Sequence, residues 1–243
     1  PALLYRALIA QSARWPKNVN SISKEECVSI LRHIGYGVPD VERATHNDEY
    51  RITLITPSHM ELGDDEAHIF QVPIPEELSN IGEDYDILVE VTLSYAASPR
   101  RTRRYVKAYL STWLDWCCSR IGENADTFAR RIFETGSIID DDGDFNWVLG
   151  EATNRGAAEG YSRKNGTLQK DWCIIKSHQL SDAFCIAVRG HKDWGGLFKA
   201  KYSLAISFEA INQDISIYEP IRNEIELAVK SGEIEIEISN NKQ

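Results

Sequence analysis

Residues 86–95 read DILVEVTLSY, and they alternate without a break. Ile87, Val89, Val91, Leu93 and Tyr95 fall on one side of an extended chain, and Leu88, Glu90, Thr92 and Ser94 fall on the other. A period of two marks a β-strand, because successive side chains leave the backbone on opposite faces. The first set predicts a core face and the second a semi-polar one. The same period recurs on both sides of this strand. Upstream it appears at Ile52 and Leu54 in RITLIT and from His68 to Val72, where Pro73 and Pro75 mark an edge or a strand end. Downstream, Tyr105 to Trp116 places Val106, Ala108, Leu110, Leu114 and Trp116 on one side. Further strands are predicted at Leu168 to Lys176, Phe184 to Arg189 and Lys201 to Glu209, the last with Tyr202, Leu204, Ile206 and Phe208 on one face. The tail GEIEIEIS (232–239) alternates isoleucine with glutamate and predicts an edge strand whose charges block further pairing.

Helical periods lie mainly outside this β region. Ala2 to Ser12 carries Leu4, Ala7, Leu8 and Gln11 on one face with no internal Gly or Pro, and Trp15-Pro16 ends it. Ser23 and Glu26 have the spacing of a capping box, and Cys27, Ile30, Leu31 and Ile34 follow as an apolar stripe. Gly35 to Ala44, GYGVPDVERA, then makes a tight turn and opens a short helix over Asp40 to Ala44. Asn124 caps a predicted helix to Glu134 that buries Phe128, Ile132 and Phe133 and stops at Gly136; Pro220 to Lys230 predicts another. Residues 137–166 read as loop.

The 243 residues suffice for one large or two modest domains, and the expectation is two unequal ones, 1–47 and 48–243. Hydrophobic residues at 42% and charged residues at 26% exclude general disorder. No apolar run approaches a membrane span, and the N-terminus lacks a signal-peptide pattern. Net charge is −10, and residues 51–243 carry all of it, with 21 basic against 31 acidic side chains. Such a surface repels nucleic acid and anionic membranes, so neither is an expected partner. Cys27, Cys117, Cys118, Cys173 and Cys185 are odd in number and lack paired spacing, which predicts reduced thiols and a cytoplasmic location.

Taken together, ALLYRALIAQSARW (2–15) and GYGVPDVERA (35–44) resemble the last part of a subtilisin-like serine peptidase domain. There, a helix ending in a small-residue segment leads to a glycine-rich YGxG turn and an alanine-ending helix. The intervening helix departs from the better-known members, which join the two stretches more directly. The VTLSY…SP stretch is similar to the start of the β-sandwich or jelly-roll domain appended to many subtilases. The resemblance implies a mixed, mainly β fold: a short helical remnant of an α/β domain followed by a β-sandwich or jelly-roll-like accessory domain. It places the nucleophile-bearing helix just before Pro1, and it implies peptide-bond hydrolysis by the parent enzyme. The expected partners are the catalytic domain of the same parent and a protein or peptide substrate. A homo-oligomer is the further possibility, since 44 residues alone bury too little surface to hide Leu4, Leu8, Ile30, Leu31 and Ile34.

No catalytic residue transfers onto this chain. A triad needs Asp, His and Ser on separate motifs, and none of those motifs occurs here, nor does G-x-S-x-G. His33 and His46 read as surface or half-buried histidines. Cys27 lies six residues from His33 on the same helix, so the two point apart, and Cys27 belongs to the apolar stripe. Cys117 and Cys118 are adjacent in a strand and face opposite ways, which makes joint metal binding awkward. Asp140 to Asp144 offers four carboxylates around Gly143, but Ile138 breaks the calcium-loop spacing, and a solvated acidic loop is the default. No cofactor is implied. Arg100, Arg101, Arg103 and Arg104 in SPRRTRRY are the candidate binding residues, able to pair with phosphates or carboxylates or to neutralise the chain's own acidic loops. Trp15, Trp113, Trp116, Trp147, Trp172 and Trp194 would form a carbohydrate platform only if exposed, and alternation places several of them inside. A stand-alone protein- or carbohydrate-binding β-sandwich is the alternative, and an independent enzyme with a pocket of convergent titratable groups is a third.

Overall fold

Strands dominate the computed structural model, which describes residues 1–16, 24–57, 60–79, 84–96, 112–134, 144–150, 163–180, 183–192 and 199–231. The order is α1 (Ala2–Ser12), α2 (Lys24–Ile34), α3 (Val41–Thr45), β1 (Arg51–Ile55), β2 (Met60–Leu62), β3 (Ala67–Pro73), α4 (Glu76–Ser79) and β4 (Asp86–Ala96). It continues with β5 (Thr112–Cys118), α5 (Ala125–Glu134), β6 (Leu168–Lys176), β7 (Ala183–Lys192), β8 (Ala200–Ala210) and α6 (Tyr218–Ser231). The protein is mainly β, with two antiparallel sheets. One runs β1-β8-β4-β6, with β2 also on β8; the other runs β3-β7-β5.

The alternation read from 86–95 decides the first sheet. β4 pairs on both flanks, with β6 and with β8, so Val91 lies opposite Asp171 on one side and Ile206 on the other. Ile87, Val89, Val91, Leu93 and Tyr95 are all buried, together with Leu204, Ile206 and Phe208 of β8. Leu114 and Trp116 of β5 and Phe184, Ile186 and Val188 of β7 join the same cluster, so side chains of both sheets meet in one core. Ile217 and Ile221, at the start of α6, are fully buried in it as well. β3 is an edge strand ending at Pro73, as the proline predicts.

The faces turned away from this core carry helices. On the second sheet, Cys117, Ala187, Cys185, Ala67 and Ile69 pack with Phe128 and Ile132 of α5, whose N-terminus Asn124 caps by accepting from Thr127 N at 2.8 Å. Cys117 and Cys118 do fall in different clusters, as adjacent strand residues should. On the first sheet, α1 lies across β4 and β8. β2 and α4 carry no sequence signal of their own, since three and four residues are too few to show a period. The predicted strand at 232–239 lies outside the described residues, as does the 105–111 part of the predicted strand that ends in β5.

Candidate functional site

α1 meets the sheet through polar side chains. Its only charged residue, Arg6, turns inward and donates to Ser94 Oγ (2.8 Å) and to the carbonyls of Tyr95 (2.6 Å) and Thr167 (2.5 Å). Gln11 donates to Ser207 Oγ (2.5 Å) and to the Glu90 carbonyl (3.1 Å), and accepts from Thr92 Oγ1. The semi-polar face of β4 is therefore a docking face rather than a solvent face. α1 has no basic residue in its last turn, and β6 supplies one. Lys170 Nζ, buried, donates to the carbonyls of Ala10 (2.9 Å), Gln11 (3.1 Å) and Ala13 (2.7 Å) at the end of the helix, where Ala10 also accepts from Ala13 N at 3.2 Å.

A buried ion network continues from Lys170. Glu90, 1% exposed, pairs with Lys170 Nζ at 3.1 Å and with Arg14. Arg14 also reaches Glu209 (2.8 Å), which Arg43 of α3 grips with both terminal nitrogens. Arg51 donates to the carbonyls of Arg43 and His46. Burial, and then repulsion from Arg43, pushes Arg14 down to about 10. Burial and the neighbouring Arg14 and Arg43 likewise hold Lys170 well below the usual lysine range. Glu209 moves down: burial raises it, but Arg43 and Arg14 outweigh that.

The glycine turn closes this site. Gly37 adopts φ +100°, and a Cβ there would lie 2.0 Å from the Arg14 carbonyl oxygen. Arg14 and Val38 exchange backbone hydrogen bonds at 3.1 and 3.0 Å, and Asp40 N donates to Ser12 Oγ at 3.2 Å. Trp15 Nε1 donates to the Gly35 carbonyl (2.8 Å), and the Trp15 ring meets Trp172 edge-on at 4.9 Å. Tyr36 Oη donates to the Leu168 carbonyl (3.0 Å) and accepts from Lys170 N (3.3 Å). The stretches 2–15 and 35–44 thus come together directly, with α2 set between them in sequence.

A second charged group sits on the second sheet beyond α5. Asp115 is fully buried between Arg189, which reaches both its oxygens (3.0 and 2.7 Å), His191 Nε2 (2.8 Å) and Lys164 (3.1 Å). Trp113 stacks on His191 at 3.9 Å. Burial raises the Asp115 carboxyl, but the His191 hydrogen bond and the Arg189, His191 and Lys164 charges outweigh it and hold it far below the usual carboxylate range. In the core, Asp171 accepts from Leu149 N (2.9 Å), Gly150 N (2.8 Å) and the buried Arg163 (3.2 Å), whose guanidinium stacks 3.8 Å over Trp116.

Arg100, Arg101, Arg103 and Arg104 lie outside the described residues, as do Asp140 to Gly143 and Trp194. His33 and His46 are exposed, bonded to the Ser29 carbonyl and to Thr45. Cys27 is buried. Trp116 and Trp147 are buried and Trp15, Trp113 and Trp172 half-buried. Among the described residues no group of His, Cys, Asp and Glu could hold a metal ion, and no helix is long and apolar enough to cross a membrane. Sequence reasoning missed Lys170, Glu90, Glu209, Arg14, Arg43 and the Asp115 group, because each depends on pairing between distant segments.

No protein-family model matches the chain. It is similar to the uncharacterized protein y4bN of Sinorhizobium fredii (strain NBRC 101917 / NGR234), with 33% identity over 103 residues, covering 42% of this chain and 23% of that protein. The match thus spans less than a quarter of the relative's length.

Proposed function

We propose that this chain is the C-terminal accessory portion of a cytoplasmic subtilisin-like serine endopeptidase. Residues 1–47 are the last helical part of the catalytic domain, and 48–243 form a β-sandwich that braces the catalytic core or recruits its protein substrate. The observation that carries the reading is the joining of 2–15 to 35–44 by the Arg14–Val38 backbone pair and the Gly37 close approach. These are the two stretches that resemble the peptidase. α2 is then an insertion between elements that still meet, which answers the one departure from the family pattern. The core shared by the two sheets supports the sandwich reading. The full burial of Trp116 and Trp147 and the half-burial of Trp15, Trp113 and Trp172 weigh against a stand-alone sugar platform, which needs aromatic rings in solvent.

The test is a fluorophosphonate probe applied to the 243-residue chain and to the polypeptide extended upstream of Pro1. The extended form should hydrolyse peptides and label at a serine upstream of Pro1, and the 243-residue chain should not label. Labelling of a serine within 1–243, or an extended form inert to both probe and peptides, overturns the proposal.

A further inference from the structure

The described strands leave four sheet edges: β1 (with β2 beside it on β8) and β6 on the first sheet, β3 and β5 on the second. At an edge, one row of backbone N–H and C=O groups faces away from the neighbouring strand and invites pairing. Three of the four are capped. On β5, the carbonyls of Leu114, Trp116 and Cys118 accept from Gln169 (2.7 Å), Arg163 (3.3 Å) and Arg131 (3.2 Å). On β6, Tyr36 Oη serves the Leu168 carbonyl and Lys170 N, Val148 N donates to the Trp172 carbonyl (2.9 Å), and Asp171 and Gln179 side chains accept from Trp172 N and Lys176 N. On β1, Asn47 Oδ1 accepts from Thr53 N (2.8 Å), and Arg51 exchanges backbone hydrogen bonds with Asp48. The β3 edge differs. Gly190 N donates to the Glu66 carbonyl at 2.9 Å and Ala67 lies opposite Arg189, so His68, Phe70 and Val72 turn their backbone groups to β7. Ala67, Ile69 and Gln71 turn theirs away, and among the described residues no hydrogen bond reaches them.

We infer that the chain's own tail, residues 233–238, adds to the outer edge of β3 as a fourth strand of the second sheet. The tail issues from α6 after Gly232, and α6 already packs against β3, with Ile217 and Ile221 buried in the shared core and Ile225 half-buried against it. The segment is therefore held beside this edge at high effective concentration. Its length suits the place, since six extended residues span about 20 Å, the reach of Ala67 to Val72. Its alternation supplies the two faces that β3 needs. Ile234, Ile236 and Ile238 continue the row of His68, Phe70 and Val72 toward the core, where Phe70 is only half-buried. Glu233, Glu235 and Glu237 continue the row that ends at exposed Gln71. The tail then becomes the sheet's new edge, and its three like charges discourage a further strand.

Amide hydrogen exchange tests this on the 243-residue chain, on the same chain carrying Glu235→Pro with Ile236→Pro, and on the chain ending at Ser231. Adjacent residues of a strand turn their N–H groups to opposite sides, so the proline pair removes one that faces β3 whichever way the tail runs. The amides of Ala67, Ile69 and Gln71 should be protected in the parent chain and exchange about tenfold faster or more in both variants, with Val91 and Ile206 of the first sheet unchanged. A peptide of residues 232–239, added to the chain ending at Ser231, should restore the protection. The proline pair keeps the full chain, so it decides even where truncation costs folding. Equal exchange at these three amides in the parent and the proline variant overturns the inference. So does protection in the parent that grows with chain concentration, since a second copy would then be the added strand.

Discussion

Replacing Glu90 with glutamine keeps the shape of the side chain and removes the charge at the centre of the α1 seam. Glu90 is 1% exposed and faces Lys170 at 3.1 Å, Arg14, and Arg43 at 3.6 Å. The amide leaves Arg14 and Arg43 sharing Glu209 and takes from Lys170 its ion-pair carboxylate. Removing one partner of a buried ion pair costs about 3–5 kcal/mol. Lys170 keeps its three carbonyl acceptors and Arg14 keeps Glu209, so the lower end applies, about 3 kcal/mol. At about 2–4 °C per kcal/mol for a chain of this size, the melting temperature should fall by about 6–12 °C, read from tryptophan fluorescence. Hydrogen exchange should show α1 amides losing protection before those of β4. Glu209→Gln, at a quarter-exposed site, should cost less. Glu90→Leu combined with Lys170→Met should cost less than the two single changes added together, because it leaves neither charge unpaired in the interior. A Glu90→Gln loss below about 1 kcal/mol, or one no larger than that of Glu209→Gln, would refute the claim that this network holds α1.

Asp115→Asn should be comparably damaging, about 3 kcal/mol by urea unfolding, because it removes the fully buried charge that Arg189, Lys164 and His191 share. Asp115 and Glu209 both have folded values below their usual 3.8 and 4.5, so their stabilisation is fully present above those values and lost as pH falls below them. Asp171, raised by burial, opposes this trend, since its folded state binds a proton more readily than the unfolded chain. Unfolding titrations from pH 6 downward should therefore show a fall in stability below about pH 4 that Asp115→Asn flattens. Gly37→Ala should destabilise by more than about 1 kcal/mol, since φ is +100° and the new Cβ meets a backbone oxygen, whereas Gly35→Asn, with φ +58° and open space, should stay within about 1 kcal/mol. Matching thermal shifts for the two glycine variants would contradict the close approach.

The strands were legible because a period of two is a local property. β4 and β6 have bounds within a residue of those read from alternation, and β8 extends the reading by one residue at each end. Helix α5 was legible for the same reason, down to its Asn124 cap. What alternation does not encode is the neighbour of each face. Glu90, Thr92 and Ser94 read as semi-polar, and the element that makes them a docking face is α1, about eighty residues earlier. Asp115 had to point away from the core once Leu114 and Trp116 pointed into it. Its burial follows only from the β5–β7 register, which sets Asp115 opposite Arg189 and Trp113 opposite His191.

Hydrogen bonds and ion pairs fix direction and register, while apolar contact tolerates sliding. α1 is held to the sheet by the directional kind: Arg6 reaches acceptors on two strand ends, Gln11 bridges β4 and β8, and Lys170 gathers three carbonyls at one point. A shift of α1 by one residue would break all of these at once. The helix is therefore indexed to the sheet, and any body resting on its outer side inherits that position. In the proposed enzyme the β region would then set the placement of the catalytic unit through α1, rather than trail behind it on a flexible tether. Residues 13–16, which follow α1, belong to the same arrangement, since Arg14 is held at once by Val38, Glu90 and Glu209 and Trp15 by Gly35 and Trp172.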